Sequence, residues 1–122
     1  MRNIGLLRFF LVLLLTITQP ALVHAAEKKM INVRIEQRKV VEPKAAVRVV
    51  KGDAVTLRWQ TDEKVALHMH GYDLKLYVEP GRLAEMRFDA TVSGRYPVTS
   101  HGFGGGHGHG HEALLYIEVY PE

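Results

Sequence analysis

Apolar and polar residues alternate along most of the chain after residue 30, with a turn signal about every ten residues. The clearest run is 55–60 (VTLRWQ), in which every odd-numbered residue is apolar. A period of two is typical of a half-buried strand, and no stretch of the chain shows helical periodicity. Comparable runs lie at 31–36, 47–49, 65–70, 74–78, 86–90, 96–100 and 115–119. About eight short strands of this kind predict an all-β sandwich or barrel.

The start of the chain has the layout of a secretory signal peptide. A positively charged beginning leads into an apolar run at 9–15 (FFLVLLL), and Pro20 and small residues up to Ala25 follow. The alternative is a membrane anchor, but the run is short for a hydrocarbon core of ~30 Å. We therefore expect a leader at 1–25 and one domain at 26–122. The mature domain would be periplasmic or secreted and would not span a membrane.

Charge and composition exclude several classes of function. Removing the leader takes away Arg2 and Arg8 and no acid, so the formal charge falls from +3 to +1. The remaining basic residues are dispersed among acids, whereas nucleic-acid binding favours a one-sided basic face. The chain has no cysteine, which rules out disulfides and thiolate ligands. The sequence has no Gly-x-Ser-x-Gly motif or other nucleophile–base pattern. We expect neither a nucleic-acid partner nor an enzyme.

Histidines carry the strongest functional signal. Six of the seven fall into two clusters, which are His68 with His70, and His101 with His107, His109 and His111. Imidazole is the commonest protein ligand for borderline metals, so the pattern predicts a metal site. The first two histidines are two apart in a strand and so project from one face. The last three alternate with glycines in a loop that bends freely, whereas His101 ends a strand and is better anchored.

Each cluster also has an alternative interpretation. One histidine of the first pair would be structural and hydrogen-bonded near a turn, and the loop would be a solvated segment with incidental metal affinity. Asp73 and Glu112 are candidates for an oxygen ligand or for a partner that orients an imidazole, or are solvated carboxylates. Tyr72 and Phe103 either shield a site or pack in the ordinary way, and Met69 points to the core.

Several segments resemble the cupredoxin family in their order and spacing. These are 50–59 (VKGDAVTLRW), 80–81 (PG), 86–88 (MRF) and 94–98 (GRYPV). The resemblance extends over most of 30–120 and implies a Greek-key β-sandwich with a metal site at one end. Residues 68–71 (HMHG) also resemble the His-x-His-Gly strand of multicopper oxidases, which use several domains where this chain has one.

Carried over by position, the resemblance implies that His68 is the first histidine ligand and that the 101–111 loop supplies the downstream one. Ser100 stands where the family has its cysteine ligand, and no methionine follows for the axial position. A blue copper centre needs a thiolate, so we expect no blue electron carrier. A site made of histidines alone favours Cu(II), with Zn(II) and Ni(II) next.

The leading hypothesis is a secreted or periplasmic copper-binding protein that serves in copper buffering, tolerance or delivery. Its ligands would be His68, His70, His101, His107, His109 and His111. Its partners would be the ion and another periplasmic copper protein or an inner-membrane transporter. The alternatives are a small copper-dependent redox enzyme or electron-transfer partner, and a metal-independent interaction module. Because protons compete for imidazole, we expect copper binding to weaken as the pH falls through ~6.5.

Overall fold

The alternating runs form the strands of two packed sheets. The computed structural model describes residues 25–103 and 112–122, and nine strands lie within these ranges. They are β1 (Lys28–Glu36), β2 (Lys39–Glu42), β3 (Val47–Val50), β4 (Ala54–Thr61), β5 (Val65–Met69), β6 (Leu74–Val78), β7 (Ala84–Asp89), β8 (Gly94–His101) and β9 (Ala113–Tyr120). The prediction of an all-β sandwich is confirmed, with nine strands where the sequence indicated about eight.

The chain passes repeatedly from one sheet to the other. The strand order is β2-β1-β4-β7 in the four-stranded sheet and β3-β9-β8-β5-β6 in the five-stranded sheet. The connections after β2, β3, β4, β6 and β7 cross between the sheets. Two strand pairs, β1 with β4 and β3 with β9, are parallel, and the other pairs are antiparallel. Parallel neighbours need such crossover connections, so both sheets depend on contacts distant in sequence.

The inner faces of the two sheets carry the apolar half of each alternation. Leu57, Trp59 and Met69 are completely buried there, together with residues from every strand except β2. Met69 points to the core, as the alternation predicts. Full burial of side chains of this size contributes about 1.5–3 kcal/mol each, so this shared core holds the two sheets together.

A buried carboxylate organises one end of the sandwich. Asp53 is fully buried, and its side chain accepts hydrogen bonds from the backbone N–H groups of Val50 at 2.9 Å and Glu27 at 3.2 Å. The Ala90 N–H donates to the Asp53 carbonyl at 2.9 Å. Gly52 has a φ of +98°, which favours glycine. This turn therefore joins β3, β4 and the start of β1.

Some of the sequence predictions concern residues beyond those described. The leader at 1–25, apart from Ala25, lies outside the described residues, as do His107, His109 and His111. Within 25–103 and 112–122, no helix is long and apolar enough to cross a membrane.

Candidate metal centre

Strand β5 carries its histidines on the outer face of the five-stranded sheet. Leu67 and Met69 point inward and are no more than 1% exposed. His68 lies between them and faces outward, with 21% of its side chain exposed, and His70 follows the strand and is also exposed. The period of two in the sequence therefore predicted correctly which residues share a face.

The neighbouring strand β8 adds His101 to the same face. The antiparallel register places Thr99 opposite His68 and His101 opposite Ala66. Residues opposite each other in an antiparallel pair project to the same side of the sheet. His68, His70 and His101 consequently share one outer face, although they come from segments about thirty residues apart.

The two imidazoles of β5 lie side by side. The ring centroids of His68 and His70 are 4.1 Å apart, and the ring planes are tilted by 40°. Nε2 of His68 is 2.8 Å from an Asp73 carboxylate oxygen, and Nε2 of His70 is 2.9 Å from the Thr99 hydroxyl oxygen. While the bond to the Asp73 carboxylate is kept, the His68 ring offers Nδ1 to an ion, and the His70 ring does so in the tautomer that donates to Thr99. Asp73 is thus a hydrogen-bond partner that orients an imidazole, one of the roles considered for it.

A tight turn after β5 places Asp73 beside His68. Gly71 and Asp73 both have a positive φ, +88° and +50°. A Cβ on Gly71 would collide with the ring of Tyr96, whose hydroxyl donates to the Val92 carbonyl at 2.8 Å. Tyr72 packs against the Tyr96 ring with a centroid distance of 4.9 Å. Tyr72 therefore packs in the ordinary way, and Gly71 is the residue that lets the turn close.

Ser100 lies on the other side of the sheet from the histidines. It pairs with Leu67 across the β5–β8 register and is 6% exposed, on the inner face. His68 is one residue further along β5 and so points the opposite way. The resemblance implied a ligand position at Ser100 together with His68, and the register separates the two. Within 25–103 and 112–122, the residues around His68 therefore do not assemble a ligand set of the blue copper kind.

One end of the histidine–glycine segment contacts the other sheet through Phe103. Phe103 follows β8, and the Arg38 guanidinium lies 5.7 Å from its ring centroid. Arg38 also donates to both carboxylate oxygens of Glu63, at 2.7 and 2.9 Å. This hydrogen-bonded pair holds the pKa of Glu63 below its usual value. Phe103 is therefore held by packing at the base of the segment, and Glu112, at the other end, is exposed.

An open cleft of about 290 Å³ lies on the outer face beside the histidines. Its lining residues are Ala66, Leu67, His68, Lys75, Leu76, Tyr77 and His101. Lys75 is opposite His68, and Tyr77 is opposite Ala66 in the β5–β6 hairpin. Neither Lys75 nor Tyr77 is singled out by a sequence motif. Their spacing on β6 is visible in the sequence, but their place beside the histidines depends on the hairpin register.

The described side chains do not yet form a complete coordination shell. Within 25–103 and 112–122, no group of three or more histidine, aspartate or glutamate side chains is placed to hold an ion. His68 and His70 are adjacent, and His101 shares the cleft with His68. The donor chemistry suits a borderline metal, because neutral imidazoles are its preferred nitrogen ligands. Any further ligand of an ion bound here has to lie close to His68 and His70.

Sequence comparisons and structure comparisons give different results. No protein-family model matches the chain, and no curated protein matches its sequence. Several solved structures do match. A chain of a heme-copper terminal oxidase dimer is 22% identical with a TM-score of 0.56, over 77% of this chain and 65% of that one. The blue copper oxidase from Nitrosomonas europaea is 19% identical with a TM-score of 0.62, over 79% and 40%.

A third solved structure is a single domain. It is the periplasmic domain of subunit II of cytochrome oxidase from Bradyrhizobium japonicum, 15% identical with a TM-score of 0.52, over 76% of this chain and 83% of that one. The chain thus spans less than two thirds of the first two structures. At these identities the likeness concerns the fold alone. Together with the strand order described above, it shows that the chain has the cupredoxin-like fold that its motifs resemble.

Proposed function

We propose that the chain is a periplasmic copper-binding protein that captures Cu(II) on the outer face of its five-stranded sheet, for buffering or delivery. The observation that carries the proposal is the pair of His68 and His70, whose ring centroids are 4.1 Å apart on an accessible face. His101 is the next ligand, since it lies in the same cleft as His68. His107, His109 and His111 complete the set from the segment that follows β8.

The choice of copper rests on the donor atoms. A site of imidazoles without thiolate binds divalent ions in the usual order of affinity, in which Cu(II) exceeds Ni(II) and Zn(II). The names of two structurally similar proteins include copper, which supports the proposal without extending their activities to this chain. Zn(II) and Ni(II) are the competing ions to measure.

The location of the pair favours exchange of the ion over redox chemistry. His70 is exposed, and the cleft beside His68 opens to solvent, so a bound ion is within reach of another protein's ligands. Ser100 supplies no thiolate and faces the other way. Electron transfer gains from a rigid, enclosed centre, whereas handing on an ion gains from an open one. The proposed role is therefore non-enzymatic, with a second copper protein or a membrane transporter as the partner.

Two neighbours keep the imidazoles in place for this task. Asp73 accepts a hydrogen bond from the Nε2–H of His68, which fixes the tautomer and leaves Nδ1 as the donor atom. Thr99 forms the corresponding contact with His70. Thr99 is itself buried, so the second imidazole is held against a fixed point of β8.

A copper titration of the 26–122 protein followed by electron paramagnetic resonance tests the proposal. We expect one tight equivalent with nitrogen hyperfine structure, and at least a tenfold loss of affinity in His68→Ala and in His70→Ala, equal to about 1.4 kcal/mol. Gln60→Ala, an exposed position on β4 of the other sheet, is the matched control. A triple alanine variant at His107, His109 and His111 measures the contribution of the loop.

Two outcomes would contradict the proposal. Tight binding that ignores His68 and His70 but disappears in the triple variant would assign the metal to the loop alone. Weak binding of several equivalents, unchanged in every variant, would leave a metal-independent interaction module. The periplasmic location is checked separately, by sequencing the amino terminus of the exported protein, which we expect to begin at Ala26.

A further inference from the structure

The cleft beside the histidines is built from two rows of side chains that cross three strands. One row is Lys75, His68 and Thr99, and the other is Tyr77, Ala66 and His101. In the second row a methyl group lies between two long side chains. Neighbouring strands are about 4.8 Å apart, so the backbones that carry Tyr77 and His101 are separated by roughly 10 Å. This gap is the open part of the cleft.

The charges around the cleft are not balanced by the residues that the structure describes. Lys75 lines the cleft and has no carboxylate partner among those residues, whereas Lys64 and Arg82, at the open end of the β5–β6 hairpin, both pair with Glu79. The acid next to His68 is Asp73, which is already hydrogen-bonded to that imidazole. A divalent ion at His68 would place further positive charge beside the Lys75 ammonium.

We propose that the cleft binds a small carboxylate anion that serves as an additional ligand for copper. The inference rests on the proposed copper site and names an additional ligand for it. One carboxylate oxygen coordinates the ion at His68, while the other pairs with the Lys75 ammonium and accepts a hydrogen bond from the Tyr77 hydroxyl. At about 290 Å³, the cleft lies at the lower limit of typical ligand pockets and suits a molecule of a few carbon atoms.

This arrangement solves the two deficiencies of the site together. The anion offsets the charge of Lys75 and the ion, and it adds an oxygen ligand to the histidines, because the described residues do not bring three metal-binding side chains together. Because the anion is not part of the chain, its departure opens a coordination position. A free carboxylate and the side chain of a docked protein offer the same group.

The test is a copper titration of the 26–122 protein in a non-coordinating buffer, with and without succinate, and with a capped peptide that contains one glutamate. We expect either carboxylate to tighten copper binding roughly tenfold and to change the paramagnetic resonance parameters. Chelation of copper in solution acts in the opposite direction and cannot mimic this result. A larger effect of the peptide would identify a partner's side chain as the source, and a larger effect of succinate a free anion.

Two variants test separately the charge of Lys75 and the open gap above Ala66. Lys75→Gln should abolish the carboxylate effect, whereas Lys44→Gln should not, because Lys44 is exposed in the loop before β3, at the opposite edge of the sheet. Ala66→Leu fills the gap on the outer face and should abolish the effect, measured against the copper affinity of the same variant without carboxylate.

The two proposals fail in different ways. One tight equivalent of copper that depends on His68, but is indifferent to carboxylate, would overturn the inference and leave the copper site standing. A carboxylate effect that persists in Lys75→Gln and Ala66→Leu would also overturn it. Absence of tight copper binding under every condition would remove both.

Discussion

The inner and outer faces of the β5–β8 pair are made from alternate residues of the same two strands, yet they are built differently. Inside, Leu67, Met69 and Val98 are at most 1% exposed and fill the core. Outside, His68 is hydrogen-bonded to Asp73, and His70 is hydrogen-bonded to Thr99. Because the packed face fixes the backbone, the outer face can hold polar side chains such as these histidines at defined positions. A slip of one residue would exchange the two faces.

The largest effect on stability should come from the inner face. Leu67→Ala leaves a cavity in the core and should lower the free energy of unfolding by about 2–5 kcal/mol. His68→Ala, the adjacent residue on the outer face, should change it by less than about 1 kcal/mol while removing copper affinity. Denaturant unfolding of the metal-free proteins measures both. An equal loss in His68→Ala would mean that the outer face is structural as well.

A second, slightly smaller effect on stability is expected at the turn after β5, which connects the packed strand to Asp73 on the outer face. Gly71→Ala combines a positive φ with a collision against Tyr96 and should cost about 2–4 kcal/mol. Gly81 is the matched control, because its φ is +73° but a methyl group there would meet no atom within 4 Å. Gly81→Ala should therefore cost only about 1–2 kcal/mol. Equal losses in thermal unfolding would show that the Tyr96 ring moves aside.

The smallest effect on stability is expected from Asp73→Asn on the outer face. The Asp73 side chain is 83% exposed, so its contact with His68 should contribute less than about 1 kcal/mol to folding. Copper affinity should nevertheless fall by about tenfold, because a neutral amide orients the imidazole and raises its basicity less than the carboxylate does. Parallel unfolding and copper titrations check both values. A loss of stability without a loss of copper affinity would reverse the assignment of Asp73.

The faces of individual strands could be predicted from the sequence, because alternation is a local property. The burial of Met69 and the outward direction of His68 and His70 both follow from the run at 65–70. Strand β2 was not predicted, because Val40 and Val41 are adjacent and the strand has no alternation of its own. It forms by pairing with β1.

The composition of the candidate site could be predicted only in part, because local patterns do not determine the register between distant strands. Ser100 pairs with Leu67, and Lys75 pairs with His68, as a result of the sheet as a whole. The family resemblance indicated the order of Ser100 and His68 along the chain and could not assign their faces. Asp73 was a candidate from its proximity in sequence, and the turn at Gly71 brings it to His68.

The position of β9 has a consequence for how the protein folds. This last strand lies between β3 and β8, and it is the one strand of the described residues to which β3 is hydrogen-bonded. Val47 pairs with Ile117, and Val50 pairs with Tyr120, so the paired residues are separated by most of the domain's sequence. Contacts so far apart in sequence make folding slow. The five-stranded sheet therefore cannot form completely until β9 has been synthesised and has paired with both β3 and β8.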